Sequence, residues 1–159
     1  MNTPEVGTFS VYVHFPYCDV RCTYCDFNTY IVKTLPTHTY TQAILAELEQ
    51  RRVDYEHWKL TSIYFGGGTP SLWGAEGVGA VISELFDVFP KRTEHVEITM
   101  ECNPGEATLD QLKSYRDVGV ERLSIGVQTL DDTILKRLSR HHTGAQAIAG
   151  IRAAKAAGF

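Results

Sequence analysis

The stretch TFSVYVHFPYCDVRCTYC, residues 8–25, places an apolar alternating run directly before three cysteines. Apolar residues at every second position over Thr8–Phe15 predict a β-strand with one buried face. Cys18, Cys22 and Cys25 follow within eight residues, in a chain that has only four cysteines. The three thiols therefore lie together in the loop that leaves the first strand.

The composition is that of an ordinary globular chain. Its 159 residues, 43% hydrophobic and 21% charged, suit one domain with a core of its own. The net charge of −4 gives no reason to expect nucleic acid or a membrane surface as a partner. No apolar run reaches about 18 residues, and the opening MNTPEVGTFS has no basic segment before an apolar one. We therefore expect a cytoplasmic protein, in which clustered thiols bind metal more often than they form disulfides.

Strand-like and helix-like patterns alternate along the chain. Apolar runs predict strands at residues 8–15, 60–65, 95–101 and 122–127. Helical spacing predicts helices at residues 39–52, 75–89, 108–119, 132–138 and 144–157. Gly77 and Gly79 are expected to weaken the second helix, while a capping box of Thr108 and Gln111 begins the third and Gly119 ends it. Four strand–helix units predict an α/β fold, a parallel (β/α) partial TIM-type barrel with about four of the eight units of a complete barrel.

The chain stops where a further strand should begin. Its last segment, AAKAAGF, closes a predicted helix with Gly158 and ends one residue later. We therefore expect residues 1–159 to be the N-terminal part of a longer core domain, without the rest of the barrel and a C-terminal domain. A small four-unit sheet that is complete in itself is the alternative.

The three clustered thiols indicate a metal centre. Their spacing is C-x3-C-x2-C, which differs from the C-x2-C-x2-C-x3-C run of ferredoxins. A structural zinc ion takes four protein ligands, whereas an iron–sulfur cubane held by three thiolates leaves one iron open. The alternatives are a zinc ion with His14 or Cys102 as its fourth ligand, a disulfide within the loop, and clustering without function.

The C-x3-C-x2-C pattern after the first strand resembles the signature of the radical S-adenosylmethionine (SAM) superfamily. This resemblance implies that Cys18, Cys22 and Cys25 bind three irons of a [4Fe–4S] cluster. In that family the fourth iron chelates the amino and carboxylate groups of SAM. One electron from the cluster then cleaves the sulfonium and gives a 5′-deoxyadenosyl radical. An electron donor is therefore an expected partner.

Four further segments at predicted strand ends carry the same resemblance: YFGGGTPS, ECNP, SIGVQT and LKRLSRHH. It implies that SAM is contacted by Gly67, Gly68 and Thr69 at its amino group, by Glu101, by Gln128 at the nucleoside, by Arg140 at the carboxylate, and by the aromatic rings of Tyr12 and Tyr24. Without the resemblance, the glycines would form a tight turn, the charged residues would be solvated and Tyr12 would belong to the core. Cys102 is expected to be structural, and His141 and His142 are expected to lie on the surface.

Residues 11–159 resemble one branch of the superfamily, that of oxygen-independent coproporphyrinogen III oxidase, which also contains a haem chaperone subgroup. The oxidase usually has Gly and Cys where this chain has Asp26 and Phe27, and it tends to have Asp where this chain has Asn103 before Pro104. GVQT is also nearer to the GVQS of the chaperone than to the GVQD of the oxidase. We therefore expect a haem chaperone that binds and transfers haem. The alternative is the oxidase itself, which decarboxylates coproporphyrinogen in porphyrin biosynthesis.

The expected cofactors are the [4Fe–4S] cluster and SAM, with haem added in the full-length protein. Haem or a porphyrinogen is the expected small-molecule partner. Radical chemistry needs a cavity that is closed to solvent. Because four strands do not close a barrel, we expect this chain to hold a cluster without being a catalyst.

Overall fold

The computed structural model of the protein describes residues 7–105 and 108–159. Its elements are, in chain order, β1 (Thr8–Phe15), β2 (Tyr17–Cys18), β3 (Tyr30–Ile31), α1 (Thr37–Tyr55), β4 (Lys59–Gly67), a 3-10 turn (Pro70–Leu72), α2 (Ala75–Val88), β5 (Arg92–Cys102), α3 (Leu109–Asp117), β6 (Arg122–Ile125), α4 (Asp132–Arg137) and α5 (Gly144–Ala156). Helices α1, α2 and α3 connect the four long strands in turn.

The four long strands form one parallel sheet in the order β1–β4–β5–β6. Each strand therefore pairs with the next long strand along the chain, as in a (β/α) barrel. The pairing aligns Tyr12 with Tyr64, Tyr64 with Thr99, and Thr99 with Arg122. The predicted α/β fold with four units of a partial TIM-type barrel is confirmed.

The two faces of the sheet differ in polarity because successive side chains of a strand point to opposite sides. The face covered by helices is fully apolar, and its buried side chains are Val13, Phe15, Ile63, Phe65, Ile98 and Met100. The other face carries hydroxyl and carboxylate groups. On it Ser62 Oγ donates to Ser10 Oγ at 2.7 Å, and Tyr64 donates to Glu101 at 2.8 Å. The polar face leads to the carboxyl ends of the strands, where the cysteine loop lies.

Helix α2 covers the sheet with an apolar stripe whose members recur at helical spacing. They are Val78, Val81, Ile82 and Leu85. The sequence predicts that Gly77 and Gly79 weaken this helix, yet both lie where neighbours approach closely. A Cβ atom at Gly77 would lie 2.3 Å from Nε1 of Trp73, and one at Gly79 would lie 3.0 Å from Val118. The two glycines therefore permit the packing of α2 at these points.

Trp73 joins helix α1 to the sheet. Its ring stacks on Phe15 with centroids 5.1 Å apart and meets the edge of Tyr40 at 5.2 Å. The indole Nε1 donates a hydrogen bond to Thr41 Oγ1 at 2.9 Å, and that hydroxyl donates to the Thr37 carbonyl at 2.8 Å. Both Trp73 and Thr41 are buried, so this polar contact is screened from water.

The observed elements differ from the predicted ones mainly at their ends. Helix α1 begins before and ends after the predicted residues 39–52, and β5 extends beyond the predicted residues 95–101 in both directions. The last strand ends at Ile125 rather than at Val127, because the Val127 N–H binds the Ile125 carbonyl and the chain turns there. The capping boxes of α3 and α5 are present, the first of them as predicted.

Two features were not foreseen from the sequence. β2 and β3 form a separate parallel ribbon, and strands of two residues carry no period that a sequence pattern could reveal. The expectation that His142 lies on the surface is wrong, because it is 7% exposed with Nε2 at 3.2 Å from the Val127 carbonyl. No helix among the described residues is long and apolar enough to cross a membrane.

The Trp73–Thr41 contact yields a test of the core. Thr41→Val keeps the shape of the side chain but leaves the buried indole N–H without its acceptor. We expect the free energy of unfolding, measured by chemical denaturation, to fall by about 1–3 kcal/mol. Thr41→Ser keeps the hydroxyl and should lose clearly less. Equal losses in the two variants would show that the hydrogen bond does not contribute.

Candidate functional site

A cavity of about 230 Å³ lies at the carboxyl ends of the four long strands. The loops that follow β1, β4, β5 and β6 all contribute to its wall. Every site residue predicted from the sequence lines it except Tyr12: Cys18, Cys22, Tyr24, Cys25, Gly67, Gly68, Thr69, Glu101, Gln128 and Arg140. The sheet topology thus brings together residues that are up to 122 positions apart, from position 18 to position 140. Carboxyl ends of parallel strands are where this class of fold places its sites.

Hydrogen bonds within the cysteine loop and to the end of α4 hold this loop in place. None of its three thiols forms a disulfide, and all three are half-buried. The Cys25 N–H donates to the Cys22 carbonyl at 3.1 Å and closes a turn between the last two cysteines. Thr23 anchors that turn to the end of α4, because its N–H and its hydroxyl bind the carbonyls of Leu138 and Arg137 at 3.3 and 3.2 Å.

The glycine segment after β4 runs against the cysteine loop. The Gly68 N–H donates to the Phe15 carbonyl at 2.7 Å, and the Thr69 N–H donates to the Tyr17 carbonyl at 2.9 Å. A Cβ atom at Gly68 would lie 2.5 Å from the Tyr17 oxygen and 2.9 Å from Cys18 Sγ. No side chain fits there, so the requirement for glycine at position 68 comes from this close approach of two backbones.

Glu101 forms part of the cavity wall near the end of β5. One carboxylate oxygen accepts from the Tyr64 hydroxyl at 2.8 Å and the other accepts from the Gly67 N–H at 3.2 Å. Burial raises the pKa of Tyr64, and the hydrogen bond to Glu101 raises it further, so the phenol stays protonated as a donor. The carboxylate is therefore held in one orientation by two neutral donors.

Arg140 reaches the cavity from the loop after α4. Its NH2 group donates to the Gly126 carbonyl at 2.6 Å and to Asn103 Oδ1 at 2.7 Å, and its NH1 group donates to Cys22 Sγ at 3.4 Å. Its Nε atom is buried with no partner among the described residues. The alternative that Arg140 is a solvated helix residue is therefore wrong.

The remaining predicted residues differ in how far they enter the site. Gln128 is exposed on the cavity wall with φ of 62°, a left-handed conformation that is uncommon outside glycine. Tyr24 also lines the wall, and partial burial raises its pKa. Tyr12 lies outside the cavity, where its ring is 6.1 Å from that of Tyr64 and its hydroxyl is 3.1 Å from His14 Nδ1. Burial and the nearby Glu101 charge raise the pKa of Tyr12.

The cavity offers three thiols as potential metal ligands. Within residues 7–105 and 108–159, no three His, Cys, Asp or Glu side chains are arranged around one metal ion. The His14 ring, considered above as a zinc ligand, contacts Tyr12 and lies 3.0 Å from the Asn28 carbonyl through Nε2. Three thiols that form no disulfide line the cavity, and three thiolates are the ligand number of a cubane that keeps one iron open.

Sequence reasoning missed two residues that organise the site. Asn103 donates to Thr69 Oγ1 at 3.3 Å and accepts from Arg140, and Tyr64 orients Glu101. The sequence marks Asn103 only as a feature of the branch and Tyr64 only as part of a glycine motif. Asn103 directly follows the end of β5, which is a usable signal, whereas Tyr64 lies within β4 and has no such signal.

Comparison with known proteins agrees with this geometry. Residues 12–159 match the family model of the radical SAM superfamily. The haem chaperone HemW of Haemophilus influenzae is 36% identical over 98% of this chain and 42% of its own length. The bovine mitochondrial radical S-adenosyl methionine domain-containing protein 1 is 37% identical over 87% of this chain and 31% of its own. Among solved structures, coproporphyrinogen III oxidase HemN from Escherichia coli, described as a radical SAM enzyme, matches with a TM-score of 0.87.

HemN is 26% identical and the match covers 97% of this chain and 36% of HemN. The chain therefore spans less than half the length of these relatives. The family model, the HemW relatives and the HemN structure agree with one another. The chain belongs to the radical SAM superfamily, in the coproporphyrinogen III oxidase-like branch that includes the haem chaperone HemW.

Proposed function

We propose that the chain forms the cluster- and SAM-binding part of a haem chaperone. The observation that carries the proposal is the single cavity in which three reduced thiols meet Gly68, Glu101 and Arg140. Cys18, Cys22 and Cys25 are the residues that would hold a [4Fe–4S] cluster. When bound, the cluster supplies one electron at a time to SAM.

The other cavity residues have separate roles in this proposal. Gly67, Gly68 and Thr69 line the cavity next to the cysteine loop, where the amino group of SAM would lie. Glu101 is an acceptor for an amino group or for hydroxyls, and Arg140 is a donor for a carboxylate. Gln128 and Tyr24 border the exposed side of the cavity. We place Tyr12 next to this set, as an aromatic neighbour of Tyr64.

The haem chaperone assignment is supported by sequence similarity to proteins named HemW over most of this chain. It also agrees with Asp26 and Phe27 after Cys25, where the oxidase usually has Gly and Cys. In this proposal the full-length protein binds haem and transfers it to an acceptor protein, and an electron donor reduces the cluster. A cytoplasmic location belongs to the same proposal, because three ligand thiols need a reducing compartment.

The oxidase is the second candidate function. Its support is the structural match to HemN, with a TM-score of 0.87 over 97% of the chain. In that function the cavity residues serve the same cofactor, and the substrate is a porphyrinogen. Phe27 is 61% exposed on the cavity wall, so its side chain borders the space through which a substrate would approach.

The first prediction concerns the cluster. Anaerobic reconstitution with iron and sulfide should give about four irons per chain and a broad absorbance in the blue. Replacing Cys18, Cys22 or Cys25 by Ala should abolish both, because three thiolates are the whole ligand set. Cys102→Ala is the matched control and should retain the cluster. Stoichiometric zinc instead of iron would contradict the proposal.

The second prediction concerns SAM. Gly68→Val puts a branched side chain where even a Cβ atom is within 2.5 Å of backbone, and Glu101→Ala removes the acceptor in the cavity. Both should weaken SAM binding in calorimetry by at least about tenfold, the equivalent of 1.4 kcal/mol. Glu101→Ala should retain its iron. Affinities equal to wild type in both variants would argue against this location for SAM.

The third prediction separates the two candidate functions. The full-length protein should bind haem, measured by its absorbance, and should form no protoporphyrinogen from coproporphyrinogen III under anaerobic conditions with reductant and SAM. The physical reason is the bulk of Phe27 at the exposed side of the cavity, which changes what can approach. Product formed over many turnovers per enzyme would favour the oxidase instead.

A further inference from the structure

A continuous path of hydrogen bonds joins two of the proposed cluster ligands through three other side chains. Thr69 Oγ1 donates to Cys18 Sγ at 3.5 Å and accepts from Asn103 Nδ2 at 3.3 Å. Asn103 Oδ1 accepts from Arg140 at 2.7 Å, and Arg140 donates to Cys22 Sγ at 3.4 Å. The path begins and ends in the cysteine loop, and Asn103 lies at its middle.

Arg140 fixes the direction of these hydrogen bonds. A guanidinium has donors only, so the Asn103 atom that faces it must be the carbonyl oxygen. The amide nitrogen of Asn103 therefore faces Thr69 and donates to the hydroxyl oxygen. The hydrogen of that hydroxyl is then directed away from Asn103, and Cys18 Sγ lies in reach as its acceptor.

We propose that Asn103 is a positioning residue that keeps the Thr69 hydroxyl as a donor to the Cys18 thiolate and thereby raises the reduction potential of the cluster. The inference rests on the proposed [4Fe–4S] cluster. Hydrogen bonds to the sulfurs are among the factors that set such potentials. A donor stabilises the reduced state more than the oxidised one, because reduction adds negative charge. Thr69 is only 5% exposed, so water does not readily replace its hydroxyl.

Aspartate at position 103 provides a sharp contrast. Its side chain has nearly the shape of asparagine, but when ionised it has acceptors only. One oxygen can still accept from Arg140. The other oxygen cannot donate to Thr69 and instead accepts the hydroxyl hydrogen. Cys18 then loses the hydrogen bond from Thr69, although no atom of the cysteine loop has been changed.

The experiment measures the midpoint potential of the reconstituted cluster in the full-length protein by redox titration followed with electron paramagnetic resonance. SAM is left out, so that effects on its binding do not enter. The variants are Asn103→Asp, Thr69→Val, Thr69→Ser and the double variant Asn103→Asp/Thr69→Val, with iron content measured for each. We expect Asn103→Asp and Thr69→Val to shift the potential to more negative values, and Thr69→Ser to stay near wild type.

The double variant tests whether Asn103 acts through Thr69. Asn103→Asp should shift the potential less in the Thr69→Val background than in the wild type, because the hydroxyl is already gone. In Asn103→Asp and Thr69→Val, the shift should be accompanied by loss of the coupling between the reduced cluster and the exchangeable hydrogen of the Thr69 hydroxyl. If Asn103→Asp does not retain iron, Asn103→Leu replaces it. Leucine accepts no hydrogen bond but leaves the Thr69 hydroxyl without the amide donor that orients it, so we expect a smaller shift to negative potential, and an unchanged potential overturns the role given to Asn103.

An unchanged potential in Asn103→Asp or in Thr69→Val, with about four irons retained, overturns the inference. An equal shift caused by Asn103→Asp in the wild type and in the Thr69→Val variant also overturns the inference, because the aspartate would then act by its charge alone. A wild-type protein that binds no iron would overturn the proposed function and this inference with it. If the wild type holds a normal cluster and Asn103→Asp and Thr69→Val keep its midpoint potential, this inference alone is overturned.

Discussion

The site depends on the parallel pairing of β1 and β4, which end at the same level of the sheet. Phe15 is opposite Gly67 in the register, and the Gly68 N–H continues the ladder by donating to the Phe15 carbonyl at 2.7 Å. The two loops therefore leave the sheet in contact with each other. With any side chain at position 68, the second loop would have to move away from Cys18. The position of the first thiol relative to the other strand ends thus follows from backbone pairing.

The ends of β5 and β6 add polar groups next to these two loops. Among the described residues, these groups form no buried ion pair. Arg140 is held by the Gly126 carbonyl and the Asn103 amide oxygen, which are neutral acceptors. No carboxylate in the described part of the chain neutralises it by a salt bridge. Its charge remains available to a thiolate such as Cys22, or to an anionic ligand in the cavity. A carboxylate partner would have cancelled that field locally.

Much of this arrangement could be predicted from the sequence, because the signals involved are local. Strand alternation, the capping box of α3 and the three clustered thiols each occupy a short window. Together with the resemblance to a known family they gave the fold class, the place of the cysteine loop and most of the cavity wall. The barrel pattern also implies that each long strand pairs with the next one along the chain, as observed.

What the sequence did not reveal depends on contacts between distant residues. The bond from Asn103 to Arg140 joins the ends of two different units, and nothing in ECNP or LKRLSRHH indicates it. The burial of His142 has the same origin, since its partner is the Val127 carbonyl of the preceding loop. Tyr12, by contrast, is predicted from the sequence as a site residue. It lies beside Tyr64 on the polar face of the sheet, and its hydroxyl is 3.1 Å from His14 Nδ1, but it does not line the cavity.

Glu101 and Arg140 carry opposite charges, and each is oriented by neutral hydrogen-bond partners. Glu101 is oriented by the Tyr64 hydroxyl and the Gly67 N–H, which are neutral donors, and the raised pKa of Tyr64 keeps its proton in place through the neutral range. The two charged groups line one cavity and do not form a salt bridge with each other. A ligand with separate amino and carboxylate groups can therefore find a partner for each, and neither partner has to break an existing ion pair to receive it. This charge separation is set by neutral neighbours on or directly after β4, β5 and β6, and in the proposed site it would serve the amino and carboxylate groups of the methionine part of SAM.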